Sequence, residues 1–260
     1  MAERTIDIDD LLETNDDPRF ITSIFNYCHR RCERCPFTDR CRLYADEQHD
    51  LLEHPGEHWT DSVRRSFEQT MELLKRWCEH EGIDFAKIQQ EADSPEVTAE
   101  LERIEATRRD PLQQLAEQYT FTALRLADTF RAADGFGDWS DEARDALATI
   151  EWFAARVASK IHRALGGYAS RAEEGDDDPV QSDWNGSAKV ARLDIAESRA
   201  AWDLILRIGK AADTSPLRRI IDLIDEIDAG VAARFPQAMA FVRPGFDQPE
   251  QCVPSAMSSH

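Results

Sequence analysis

Apolar residues recur at intervals of three and four along most of the chain. Examples are Val63, Phe67, Thr70, Leu74 and Trp77, and then Leu112, Leu115, Tyr119, Ala123, Leu126 and Phe130. That is the period of a helix burying one stripe. No run alternates apolar and polar residues between hairpin signals, so strands are not expected. Start and stop residues divide the chain into helices. Asp17-Pro18 opens one that runs to about Cys32, and a second spans 42–53 and stops before Pro55. Thr60 or Asp61 caps a long one ending near Gly82. Ser94-Pro95 starts a weakly amphipathic one to about 108, and Asp110-Pro111 starts one to Gly135. Ser140 caps one that ends at Gly166-Gly167, Ser187 starts the next, to about 212, and Ser215-Pro216 starts the last, to about 234. Four of these exceed 20 residues and so are longer than about 30 Å. The predicted fold is all-α: an up-and-down helical bundle preceded by a four-cysteine metal-binding segment.

The expected organisation is an N-terminal arm over 1–15, a cysteine segment over 16–57, a bundle over 58–235 packed with it as one domain, and a C-terminal tail over 236–260. The tail holds four prolines and is expected to trail across the surface. Residues 170–186 read as an acidic, solvated connection. They lack the spacing and distal Glu of a calcium loop. Asn185-Gly186-Ser187 reads as a turn before a helix.

The cysteines change the picture from fold to chemistry. Cys28, Cys32, Cys35 and Cys41 follow C-x3-C-x2-C-x5-C within 14 residues. On a helix Cys28 and Cys32 would share a face with Ile21, Ile24 and Phe25. Pro36 would end that helix and let the loop bring in Cys35 and Cys41. Four thiolates need positive charge, and Arg30, Arg31, Arg34, Arg40 and Arg42 surround them, where they are expected to lower the thiol pKa values. A [4Fe–4S] cluster or Zn²⁺ would each leave the site at −2. Structural zinc usually draws on two separated knuckles. Three close cysteines with Pro after one resemble ferredoxin-like ligation, which favours iron–sulfur. C-x3-C-x2-C also resembles the radical-SAM cluster motif, but Cys41 is a fourth ligand close by, Arg34 replaces an aromatic residue, and no β/α barrel follows. Cys78 falls on a core-facing stripe, and the role of Cys252 is not readable.

A second candidate site lies on the long helices. Helical phase puts Asp194 and Glu197 on the apolar side of their helix, opposite Lys189, Arg192, Arg199, Asp203, Arg207 and Lys210. Glu151 and His162 flank the stripe of the preceding helix. Buried carboxylates need partners, so these four residues form either an ion network or a metal or substrate pocket. Carboxylates and His inside a bundle are similar to a ferritin-like di-metal site, although no long helix carries the Glu-x-x-His pairs that such sites use. Tyr119, in mid-stripe, needs a hydroxyl partner. His49, His54 and His58 read as surface residues, and the six Trp as packing or helix-end residues.

The 31 basic and 51 acidic residues give a formal net charge of −20, which argues against nucleic-acid and anionic-lipid partners. No basic–apolar targeting segment and no long apolar run occur, so a cytoplasmic protein is expected, where clustered thiols hold metal more often than disulfides. The leading function is a metal-cluster protein with a redox or enzymatic role toward an unidentified protein or small-molecule partner. The alternative is a non-enzymatic, zinc-stapled adaptor.

Overall fold

A computed structural model describes residues 17–90, 94–133, 139–174, 178–208 and 213–247. Among these residues the regular structure is entirely helical, with no strand. The helices are α1 (Arg42–Glu53), α2 (Trp59–His80), α3 (Phe85–Gln90), α4 (Pro95–Arg108), α5 (Pro111–Ala132), α6 (Asp141–Glu174), α7 (Asp183–Ile208) and α8 (Ser215–Arg234). No helix among the described residues is long and apolar enough to cross a membrane. The chain divides into two compact units: residues 1–100 with 244–260, and residues 101–243. The expected arm over 1–15, Cys252 and the tail beyond 247 lie outside the described residues.

The second unit is a four-helix arrangement. In it α5 packs on α6, α6 on α7, α7 on α8, and α8 back on α5. Small side chains allow the close approach: Ala116, Ala123 and Ala127 on α5, Ala154 and Ala164 on α6, and Ala188 and Ala191 on α7 are all fully buried. Between them Ile150, Val157, Ile161, Ile205, Ile224 and Ile227 fill the interior. Thr120 Oγ1 donates to the Ala154 carbonyl at 2.7 Å, a bond from α5 to α6. Several helix starts fall where the cap residues predicted. Asp110 accepts from Leu112 N at 2.9 Å, Ser94 from Val97 N at 3.3 Å, and Ser140 from Ala143 N at 3.2 Å.

Two expected boundaries in this unit move. Helix α6 does not stop at Gly166-Gly167 but continues to Glu174. A Cβ at Gly167 would sit 3.5 Å from Trp184 Cβ, an ordinary van der Waals contact, so α6 runs beside Trp184 here. Beyond it Tyr168 meets Trp184 and Phe235 edge-on, with centroids 6.3 and 5.7 Å away. Packing of that kind outweighs the roughly 1 kcal/mol cost of a helical glycine. Helix α7 begins at Asp183 and not at Ser187, because Arg163 of α6 grips Asp183 with two bonds of 2.7 Å. Asn185-Gly186-Ser187 is therefore buried helix and not a turn. The segment after α8 is also anchored: Phe235, Ala238 and Phe241 are buried. Lys189 Nζ donates to the Phe241 carbonyl at 2.6 Å and to Met239 O at 3.3 Å. Lys189 is thus buried, contrary to its assignment to the polar side of α7.

The first unit departs further from expectation. No α-helix covers 17–41. Single 3-10 turns at Ile24–Asn26, Cys32–Arg34 and Thr38–Arg40 are separated by bends. Ser23 and Arg30 have φ of 59° and 55°, in the left-handed region, and this interrupts any continuous right-handed helix. Helix α1 spans 42–53 as predicted. Helix α2 is capped by His58, whose Nδ1 accepts from Thr60 N, and not by Thr60 or Asp61. Its stripe is not interior: Val63, Phe67, Leu74 and Trp77 are all exposed. On the opposite face Arg65 binds Asp50 at 2.7 and 3.0 Å and Glu57 at 3.2 and 2.7 Å.

Arg65 holds the Asp50 and Glu57 carboxyls below their ordinary values of 3.8 and 4.5. A depressed folded pKa contributes stability that is complete above the unfolded value and lost as pH falls through the folded one. The melting temperature of Arg65→Met should therefore lie below that of the parent at pH 6. The gap should close towards about pH 2. Circular dichroism melts at the two pH values measure it, and a gap independent of pH would contradict this account of the corner.

Candidate functional site

The cysteine segment is built on a small apolar cluster of its own. Ile21, Ile24 and Tyr27 are buried, and Ile21 N donates to the Arg40 carbonyl at 3.0 Å, which ties the two ends of the segment together. The C-terminal stretch closes over it. Gly245, with φ of +77°, leaves room for Ile21 and Ile24, whose Cδ1 atoms would each lie 3.0 Å from a Cβ placed there. Phe246 meets Phe37 edge-on with centroids 5.0 Å apart. Neither contact has a signal in the sequence, since more than 200 residues separate the partners.

On this support Cys28, Cys32, Cys35 and Cys41 are all half-buried, and all four are thiols, not disulfides. Arg30 N donates to Cys28 Sγ at 3.4 Å, and the Phe37 backbone N–H acts to lower the Cys35 pKa. The left-handed Arg30 backbone turns its N–H back towards the Cys28 sulfur. A bond of this kind holds the sulfur's direction. The four groups feel one another electrostatically: Cys28 and Cys35 act on Cys32, and Cys28 and Cys41 on Cys35. Among the described residues, however, no three His, Cys, Asp or Glu side chains are gathered tightly enough to hold a metal ion as they stand. The expected convergence of the four sulfurs at one centre is not present.

The electrostatics also differ from expectation. Burial pushes the Cys32 thiol up, the Glu47 carboxylate adds to this, and Arg30 only partly opposes it. Burial likewise pushes Cys35 up, against the Phe37 N–H. Arg30 lowers the Cys32 pKa but does not offset burial, and the nearby cations are also paired with carboxylates. Arg30 binds Glu47 at 3.0 Å, Arg31 lies 3.5 Å from Glu33, and Arg42 binds Asp46 at 2.9 Å while its guanidinium stands over Phe20. Glu47 was not among the predicted site residues; it lies one helical turn into α1, and only the fold brings it to the cysteines. Cys78 is fully buried, as its stripe position implied.

The second candidate group is not assembled as a pocket. Asp194 is completely buried and binds Arg156 Nε of α6 at 3.2 Å. Glu151 pairs with Arg131 of α5. His162 is half-buried, and Glu197 is exposed. The helical phase was thus correct for Asp194 and off by the width of the stripe for Glu197. Nearby, burial lowers the Lys160 pKa, and Arg156 and Arg163 lower it further. Tyr119, fully buried, accepts a bond from Trp202 Nε1 at 3.2 Å. Burial pushes its phenol up to about 12, with the Ser198 hydroxyl beside it opposing this. Trp184 and Trp202 are packing residues as expected, whereas Trp59 and Trp77 are exposed. His49 is exposed and lies 3.5 Å from Glu53.

The chain matches no family model, no curated protein and no solved structure.

Asp194→Ala would leave Arg156 beside a buried cavity without its carboxylate. It should cost about 3 kcal/mol of unfolding free energy. Glu197→Ala should stay within about 0.5 kcal/mol of the parent. Urea unfolding followed by circular dichroism measures both, and equal effects would show that burial does not separate these two carboxylates.

Proposed function

We propose that Cys28, Cys32, Cys35 and Cys41 hold a thiolate-ligated metal centre, with an iron–sulfur cluster as the principal reading. The observation that carries it is a 14-residue segment that holds all four thiols half-buried, with the Arg30 backbone N–H donating to the Cys28 sulfur. Thiolate sulfurs in a metal site need such donors to offset excess negative charge. The half-buried setting limits solvent access, which tunes a cluster's potential. Soft sulfur donors select zinc or iron–sulfur over hard cations. Four cysteines within 14 residues, only one pair of them as C-x2-C, fit a compact cluster better than two zinc knuckles. The role of such a centre in this chain would be electron transfer or support of a reaction, in a cytoplasmic setting where thiols stay reduced.

The second reading is a zinc-stapled adaptor. It is supported by the irregularity of residues 17–41, where single 3-10 turns rest on three buried apolar residues. A segment with so little core gains most from a metal staple. In that case the bundle and helix α2 would present surfaces to another protein, and the cysteines would have no redox chemistry.

Anaerobic purification followed by metal analysis and an absorption spectrum separates the two. A brown protein with iron and sulfide in equal amounts, a broad band near 400 nm, and loss of both in Cys32→Ser and Cys35→Ser is the expected outcome. A colourless protein holding one zinc per chain would replace the cluster with the staple. A protein that takes up neither metal, after reconstitution with ferrous iron and sulfide or with zinc, would overturn the proposal.

A further inference from the structure

Helix α2 carries an apolar seam whose residues are largely exposed. Val63, Phe67, Thr70, Leu74 and Trp77 follow a strict four-three-four-three spacing. That is the 3.5-residue repeat of a helix made to pair with another helix along its length. The seam runs about 21 Å. Arg65 lies on the opposite side of the helix, about 120–200° away from these positions, and its bonds to Asp50 and Glu57 hold that side to the α1 corner. The seam therefore points away from the contacts that position α2. The element packed against α2 within its unit is the short α3, and Lys75 stands over Phe85 there. Cys78 is covered, but the seam itself is open: Trp59 is 69% exposed, Val63 60%, Phe67 68%, Leu74 38% and Trp77 42%.

We propose that this seam is a self-association surface, occupied by α2 of a second copy of the chain. Three observations favour a second copy over a partner of other chemistry. First, the exposed area of these five residues is roughly 550 Å² per copy, taking the usual side-chain areas of about 150–250 Å². Two copies would bury about 1,100 Å², just above the roughly 1,000 Å² that a specific interface needs. Second, α2 is locally neutral, with Asp61, Glu68, Glu72 and Glu79 balanced by Arg64, Arg65, Lys75 and Arg76, in a chain of net charge −20. A surface meant for a basic partner would share the acidity of the rest. Third, the positions flanking the seam are Trp59, Arg64, Ser66, Met71, Leu73, Cys78 and His80, with Arg64 the one permanent charge. Two copies can therefore approach without juxtaposing like charges at the seam, in either helix direction. Trp and Phe at its ends and centre supply the large side chains on which interfaces depend.

The area is small and the two bodies repel, so the dimer should be weak and its strength should depend on salt in an unusual direction. Screening of two chains of −20 favours association of an apolar seam, whereas it weakens a contact held by opposite charges. Sedimentation velocity of the full chain, from low micromolar to several hundred micromolar in the presence of a phosphine reductant, should show the mass rising from 29.6 kDa towards twice that value. Added sodium chloride should shift the midpoint to lower concentration. Phe67→Glu and Leu74→Glu should each raise the dissociation constant at least about tenfold, with an unchanged far-ultraviolet spectrum because both side chains are exposed. Phe67→Gln should weaken the dimer less than Phe67→Glu. A monomer at every concentration would overturn the proposal. So would a dimer indifferent to these substitutions, or one that salt dissociates, which would indicate a charge-driven contact elsewhere.

Discussion

The close approach of α6 and α7 is the constraint from which the second unit follows. Alanines on both helices, with Gly167 where Trp184 crosses, bring the two backbones together along most of their length. Once they are that close, a side chain at the contact is either removed from water or excluded. Asp194 is removed from water, and the interior tolerates it because Arg156 supplies a cation from the facing helix. Arg163 performs the same service for Asp183 at the end of the pair and so sets where α7 begins. Helices α5 and α8 then close the remaining faces. A Cβ on Gly230 would meet Leu112 Cδ1 at 2.8 Å, so these two also meet closely.

The first unit solves a different problem. Between residues 17 and 41 there is too little apolar surface for a packed helix, and two left-handed residues prevent one. Order comes instead from a few long-range contacts, of which Gly245 on Ile21 and Ile24 is the tightest. The result is an irregular strap in which a backbone N–H addresses the Cys28 sulfur and Arg30 acts on Cys32. That arrangement gives the proposed centre its physical logic. A site that uses a backbone donor depends on the path of the chain, and the path here is held at both ends, by Arg40 and by the returning C-terminal segment.

Charge is distributed in keeping with this division. Basic side chains near the cysteines are paired with Glu47, Glu33 and Asp46, and those in the bundle with Asp194, Asp183, Asp228 and Asp225. Most of these pairs are exposed and contribute little individually. Their effect is to set which face of each helix is outward. Arg65 does this most clearly, since anchoring the polar side of α2 leaves its aromatic seam towards solvent.

The helical class and most helix starts were legible from local features alone. Periodicity and cap residues act within one or two turns, so Asp110, Ser94 and Ser140 identify their helices without knowledge of the fold. The four cysteines were equally visible, because metal-ligand spacing is a property of the chain. Other features needed the tertiary structure because each depends on a distant partner. Gly166-Gly167 reads as a stop until Tyr168 finds Trp184 and Phe235. The apolar stripe of α2 reads as core, yet Val63, Phe67, Leu74 and Trp77 are exposed. Lys189 reads as surface until the carbonyls of Met239 and Phe241 reach it, fifty residues on. Glu197 and Asp194 differ by three positions and share a helical face in projection. Only the line along which α6 touches α7 decides that one is buried against Arg156 and the other faces water. The sequence by itself determined the helical class, most helix starts and the spacing of the four cysteines. The tertiary structure decided which faces meet, because burial and ion pairing are settled between elements and not within them.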